Sequence, residues 1–217
     1  MNTSEPAAFH SFKTKLLDAA LKVIRSKGYT ATTLDDVCAA AGVTKGSFFH
    51  HFSSKEDLAL AVVRHWNDMT GRLFANAPYS QVPDPRKRIL AYIDFRSQIV
   101  QGASSKDLAD MTCLLGTLVQ ETFNSYPAIQ AACQEGIEGH ARTFVPMIAE
   151  AKALYASDRD WSAESLALYT QAALQGAFIV AKAHGDSNTA VQCIAHLRRY
   201  VGSLLPSNFH EPIRQTV

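Results

Sequence analysis

Helix-stopping glycines and helix-capping hydroxyls alternate between residues 28 and 54, and this spacing restricts the chain there to short helices. The series runs Gly28, Thr33, Gly42, Thr44, Ser54. Glycine accepts the left-handed backbone that ends a helix. Serine and threonine accept hydrogen bonds from the free N–H groups that begin one. The spacing predicts a first helix from about Phe12 to Lys27, with Phe12, Leu16, Ala20 and Val23 on one stripe and Leu17 and Ile24 widening it. A second runs from Thr33 to about Ala41, with Asp36 at the position of a capping-box acid. A third begins after Thr44 and reaches His50 or His51, and a fourth begins after Ser54 and runs toward Phe74. Alternating strand patterns are hard to find anywhere, so the expected fold class is all-α.

The second and third helices are joined only by Gly42, Val43 and Thr44, which is the layout of a helix-turn-helix. Ala39, Ala40 and Ala41 let the two helices cross closely. The third helix then starts outward with Lys45, Gly46 and Ser47, which leave a duplex room to approach. Free N–H groups at that end suit a phosphate.

Residues 28–55 read GYTATTLDDVCAAAGVTKGSFFHHFSSK. This stretch resembles the DNA-binding domain of the tetracycline-repressor (TetR) family of bacterial regulators, and the likeness extends over roughly residues 12–66. The resemblance implies roles by position. Thr33 touches a phosphate through its hydroxyl and N–H. Thr44, Lys45, Gly46 and Ser47 make base and phosphate contacts, His51 faces the duplex backbone, and Lys55 binds a phosphate. Phe48 and Phe52 face inward and lock the recognition helix. Phe49 stands where the family usually has tyrosine. One neutral hydrogen bond to phosphate, worth about 1 kcal/mol, is then absent, and Phe49 packs on sugar and backbone.

Ala77 to Pro85 carries three prolines and reads as a loop. The Arg86-Lys87-Arg88 run after it reads as a solvated helix start. Long helices are expected beyond it, with Pro127 to about Leu154 as one helix bent at Pro146. Others cover Leu108 to Thr122, Trp161 to His184 and Thr189 to Leu205. The total is about nine helices. The expected division is a helix-turn-helix domain at 1–55, a ligand-binding and dimerisation domain at 56–205, and a loose tail at 206–217.

This second part resembles the family's regulatory domain by architecture. The resemblance implies a homodimer built from the last two long helices. Ala173, Gly176, Ala177 and Ala181 are small residues on one helix, and Val191, Ile194, Arg198 and Val201 lie along a stripe on the next. The same residues also suit the core of a single chain. The resemblance further implies an inducer pocket, with Trp66, Met69, Phe74, Tyr92, Phe95, Arg96, Met111, Cys113, Phe123, Phe144 and Met147 as candidate walls and Gln120, Glu121 and His140 as polar groups. Part of this set is simply core, as aromatic and Met residues at helical spacing usually are. Cys113 stands in a stretch similar to family members that sense oxidants or electrophiles, with a buried structural cysteine as the plainer reading.

Composition limits the remaining classes. Lys plus Arg is 21 and Asp plus Glu is 20, which excludes a strongly basic coat for nonspecific nucleic-acid binding. Residues 1–66 hold 8 basic and 6 acidic side chains, so even the reading head is only weakly basic. The four cysteines form no CxxC pair, which argues against a zinc ribbon or disulfide framework. Adjacent His50 and His51 point about 100° apart on a helix, so no metal site is expected there. No signal-peptide run and no apolar run of a membrane-span length appear. A cytoplasmic protein without cofactors is expected. Its partners are a double-stranded DNA operator and a small-molecule inducer of unstated identity, with no membrane. Nucleophile, phosphate-loop and metalloprotease motifs are missing, so an enzyme is not expected. A scaffold that has lost DNA binding is the other rival, and Lys45, Gly46, Ser47 and Lys55 argue against it.

Overall fold

The computed structural model describes residues 12–102 and 112–207. Ten α-helices occur among them, and no strand. The first four are α1 (Phe12–Lys27), α2 (Leu34–Ala41), α3 (Lys45–His51) and α4 (Lys55–Ala75). The next are α5 (Pro85–Gly102), α6 (Leu114–Thr122) and α7 (Pro127–Arg142). The last are α8 (Val145–Tyr155), α9 (Ala163–His184) and α10 (Ser187–Leu204). No helix among the described residues is long and apolar enough to cross a membrane.

The stops and caps act as their chemistry dictates. Gly28 and Gly42 take φ of +88° and +65°, and Gly42 closes α2 by donating its N–H to Ala39 and Cys38 carbonyls. Thr33 caps α2 in a full capping box with Asp36. Thr44 accepts from Ser47 N–H, and Ser54 accepts from Asp57 N–H.

The chain divides into two compact units. The first holds the described residues up to Thr70 together with Thr112–Gly136, and the second holds the rest. The division by compactness falls inside α4 and α7. In the first unit Leu16, Ala20 and Ile24 of α1 are buried with Val37, Phe48, Phe52, Leu58 and Val62. Phe12, expected on the α1 stripe, is 59% exposed. In the second unit α10 packs on α9 and α5, and α5 packs on α8. Ile89, Tyr92, Ile93, Leu174, Phe178, Ile194 and Val201 lie in this core.

Three local expectations change. The helix expected over 127–154 is two helices, because the chain turns at Thr143 and Phe144 and Pro146 sits in the first turn of α8, where its missing N–H costs nothing. Pro85 opens α5 rather than closing the loop, and Pro78–Gln81 forms a 3-10 turn. Arg86 and Arg88 are engaged rather than solvated. Arg86 donates to the Leu205 carbonyl, and Arg88 to those of Val82 and Pro83 while pairing with Glu150 at 3.2 Å. The helix expected from Leu108 begins at Leu114, and residues 108–111 and most of the expected tail lie outside the described residues.

Candidate nucleic-acid interface and ligand cavity

The short helix α3 has too little hydrogen bonding to stand alone, so its place depends on side-chain packing. Phe48 is fully buried and Phe52 is 3% exposed, with their rings 5.7 Å apart. Lys13 of α1 stands 5.8 Å over the Phe52 ring. This anchor leaves Thr44, Lys45, Gly46 and Phe49 exposed, with Ser47 and His51 half-buried. Phe49 is 56% exposed. A Cβ on Gly46 would meet only Thr44 Oγ1, at 3.7 Å, so packing within the chain does not require glycine there.

Two acids on α2 hold part of the basic charge of this face. Lys45 Nζ pairs with Asp35 at 2.8 Å, which raises the lysine pKa. Lys27 pairs with Asp36. Thr33 donates both its N–H and its hydroxyl to Asp36, at 2.7 and 2.6 Å. The two groups expected to meet a phosphate are therefore already committed to the capping box. Hydrogen bonds from Lys27 and Thr33 hold the Asp36 carboxyl well below the ordinary carboxylate range.

Lys55 is half-buried. Its Nζ sits 4.4 Å over the Tyr29 ring and donates to the Thr30 carbonyl at 3.3 Å. Burial lowers its pKa, against the opposing pull of Glu121. Burial also pushes the Tyr29 phenol up to about 12. Tyr29 meets Tyr126 edge-on at 5.2 Å. Glu121 of α6 accepts from the N–H groups of Tyr29 and Thr30, at 3.0 and 2.8 Å. Arg25 donates to the Thr112 carbonyl at 2.9 Å and covers the Trp66 ring. Glu121 was expected to orient a ligand, and it serves instead to fix the turn that carries Lys55's support. Nothing local in the sequence links positions 29 and 121.

The second unit holds a cavity of about 280 Å³, lined by Phe74, Tyr79, Ser80, Arg88, His140, Thr143, Phe144 and Met147 among others. Of the expected walls, Phe74, Phe144 and Met147 line it, as does His140. Tyr92, Phe95 and Arg96 stand directly behind them. Tyr92 is 4.1 Å from Phe144, Phe95 is 5.9 Å from Phe74 between ring centres, and Arg96 covers the Phe74 ring at 5.1 Å. Burial above all, and then the Arg96 charge, pushes His140 down to about 3. It is neutral at physiological pH. Trp66, Met69, Cys113 and Phe123 belong to the first unit and do not line this cavity. Met69 and Phe123 are 37% and 59% exposed, and Trp66 is taken up by Arg25. Gln120 is exposed and donates to the Gly116 carbonyl of its own helix. Met111 lies outside the described residues. Cys113 is half-buried at the start of α6, and Cys133, close enough to feel its charge, is fully buried and pushed up to about 12 chiefly by burial.

The expected dimer residues separate into two faces. Ala177, Ala181, Ile194 and Val201 are buried within their own chain, which corrects their assignment to an interface. Their helices pack on each other, and α10 also packs on α5. Arg198 is exposed and pairs with Asp94 of α5 at 2.7 Å. Val191 is half-buried. Ala173 and Gly176 belong to a different stripe on α9, with Leu168, Tyr169, Ala172, Ile179 and Val180. The large members of that stripe are 41–52% exposed. Ala173 and Gly176 of the expected set lie on this second face, and sequence did not separate it from the buried one because both carry small apolar residues.

A family model described as bacterial regulatory proteins, tetR family, matches residues 16–62, which spans the helix-turn-helix. The chain is 27% identical over 167 residues to the transcriptional regulator AcuR of Cereibacter sphaeroides, covering 77% of this chain and 74% of that protein. It is 26% identical over 165 residues to the transcriptional repressor DhaR of a Mycobacterium species, covering 76% and 79%. A cysteine-substituted form of the TetR family regulator CifR, solved with 26-base-pair double-strand operator DNA, shares the fold. Its TM-score is 0.69 at 21% identity, over 90% of this chain and 98% of that one. The locked recognition helix and these likenesses agree: residues 16–62 match the tetR-family model, and over most of its length the chain is similar to transcriptional regulators.

Proposed function

We propose that the protein is a homodimeric repressor that binds a palindromic operator and is released by a small-molecule inducer. The exposed start of α3, held by the buried Phe48 and Phe52, carries the reading. Thr44, Lys45, Gly46, Ser47, Phe49 and His51 meet the duplex, and Lys55 meets a phosphate from the head of α4. Thr33 joins them when its capping box yields a donor. One such helix reads one half-site, so two copies are needed to cover successive major-groove faces. The second copy covers the exposed α9 stripe from Leu168 to Val180. Gly176 supports this, because a Cβ there would meet open space in the single chain. A mid-helix glycine costs roughly 1 kcal/mol against alanine, and close approach of a second helix is a reason to keep it.

The reading head comprises residues 1–55 and the ligand-binding and dimerisation part residues 56–205, with a tail after them. The cavity beside Phe74, His140, Phe144 and Met147 receives the inducer. Ligand need only prefer the released state by about 1–3 kcal/mol to regulate. The test is DNA from upstream of the protein's own gene, titrated at several salt concentrations. A dimer should bind it with an affinity that falls steeply with salt. A monomer, or salt-insensitive binding, contradicts the reading.

A further inference from the structure

A chain of polar groups runs through the core of the second unit and ends at its cavity. Gln171 of α9 and Tyr92 of α5 are both buried. Gln171 Nε2 donates to the Tyr92 hydroxyl, and that hydroxyl meets Nε2 of His140 on α7, each at 3.4 Å. Polar groups in an apolar core cost stability unless their bonds are made. His140 lines the cavity, while Gln171 and Tyr92 stand behind it.

The direction of the chain is set at Gln171. An amide nitrogen only donates, so the Tyr92 oxygen accepts there and its own proton is left for the imidazole. A neutral imidazole has one acceptor nitrogen, and the nitrogen facing Tyr92 is Nε2. The single ring proton is then on Nδ1. Nδ1 is not sealed in by the protein, because among the described residues the buried side-chain nitrogen or oxygen without a partner is Trp161 Nε1. Nδ1–H is therefore open at the wall that His140 forms.

The other polar groups of the lining are already bonded within the chain. The Tyr79, Ser80 and Thr143 hydroxyls donate to the Phe74, Ala77 and His140 carbonyls. Arg88 has an acceptor at each of its nitrogens, one of them Glu150. No acidic residue lines the cavity, so a cation finds no partner, and the pairing of Arg88 with Glu150 leaves little net charge for an anion. Phe74, Phe144 and Met147 supply apolar wall. A volume of about 280 Å³ is at the small end of ligand pockets and holds one ring or a short chain.

We propose that the cavity takes a small uncharged molecule with a carbonyl oxygen, which accepts from His140 Nδ1–H while the apolar body lies against Phe74, Phe144 and Met147. Gln171 and Tyr92 are positioning residues that hold the proton on Nδ1. This rests on the reading of the cavity as the inducer site.

The test titrates the full-length protein calorimetrically with three ketones and with the alkenes in which a methylene group replaces the oxygen. The pairs are acetophenone and α-methylstyrene, cyclohexanone and methylenecyclohexane, and 2-heptanone and 2-methyl-1-heptene. At least one ketone should bind, and its affinity relative to its alkene should fall about fivefold or more in His140→Phe, which lacks the donor. Tyr92→Phe, which removes the partner of Nε2, should lower the same ratio. Nitrogen NMR of histidine-labelled protein should place the His140 proton on Nδ1 in the parent and move it toward Nε2 in Tyr92→Phe, a change that a merely packing role would not cause. Met147→Trp, which fills the cavity, should abolish binding of both members of each pair. Thermal unfolding checks that each variant is folded, and the parent spectrum still tests the tautomer should His140→Phe unfold. A ketone-to-alkene ratio unchanged in His140→Phe, or a parent His140 proton on Nε2, overturns the carbonyl proposal, and a proton unmoved in Tyr92→Phe overturns the positioning role. If binding still vanishes in Met147→Trp, the cavity reading stands without them. Binding insensitive to Met147→Trp, or no binding by any probe, overturns the cavity reading and the proposal together.

Discussion

The carboxylate of Glu121 accepts a hydrogen bond from the backbone N–H of Thr30 at 2.8 Å, joining positions 91 apart in the chain. Its other oxygen takes the N–H of Tyr29 at 3.0 Å. The turn after α1 therefore ends on a charge from α6. That turn supplies both the ring and the carbonyl that hold Lys55.

Removing the clamp should weaken the reading head. Glu121→Ala should lower its stability by about 1.5–3 kcal/mol, the range for hydrogen bonds to a charged group. Glu121→Gln, which keeps one acceptor oxygen, should lose less. Gly28→Ala should be worse than either, since its φ is +88° and a Cβ would lie 2.4 Å from Glu121 Oε1. Urea unfolding checks the order, and a Glu121→Ala protein as stable as the parent would refute the clamp.

Acid should loosen the start of α2. Asp36 has a folded pKa below its ordinary value of 3.8, so its contribution is complete above that value and is lost as pH falls below it. Asp36→Asn should flatten this part of the pH–stability curve, measured by thermal unfolding. An unchanged slope would contradict the capping role.

His140 gives a second, separate pH window. Its folded pKa of about 3 lies below its ordinary 6.5, so unfolded chains take up its proton first. Stability should therefore fall as pH drops from about 6.5 toward 3. His140→Phe should remove the loss between these values. A parent protein equally stable across that window would contradict the buried neutral imidazole.

The first four helices were legible in the sequence almost to the residue because their ends rest on local chemistry. Gly28, Thr33, Gly42, Thr44 and Ser54 act on N–H and carbonyl groups within a few positions of themselves. Pairings across the chain left no such mark. The Glu121 clamp joins two ordinary-looking segments, and the packing of Thr112–Gly136 with the N-terminal residues follows from tertiary contact alone. Alpha-helix α9 shows the other limit. Ala177 and Ala181 face inward while Ala173 and Gly176 are more open, and composition does not separate them. Pro146 marked a break correctly but not whether the helix bends or ends.

The α9 stripe should control assembly. Gly176→Leu should shift the protein toward monomer in sedimentation or native mass measurements. Folding should survive, since a Cβ at this position meets open space within the chain. A dimer as tight as the parent's would move the interface elsewhere.

Asp35 restrains Lys45 and adds negative charge to the DNA-facing side. Asp35→Asn should raise affinity for DNA several-fold at low salt, with the gain shrinking as salt is added. Unchanged or weaker affinity would place Lys45 away from the duplex.

Gly46 tests the central claim most directly, because it is exposed and packing does not require it. The measurement is fluorescence anisotropy of labelled DNA from upstream of the protein's own gene, with parent protein and Gly46→Asp compared at matched stability and oligomeric state. The account predicts that Gly46→Asp loses on the order of 100-fold in affinity, about 2.7 kcal/mol, while remaining folded. Equal affinity of the two proteins would contradict the assignment of α3 as the reading helix.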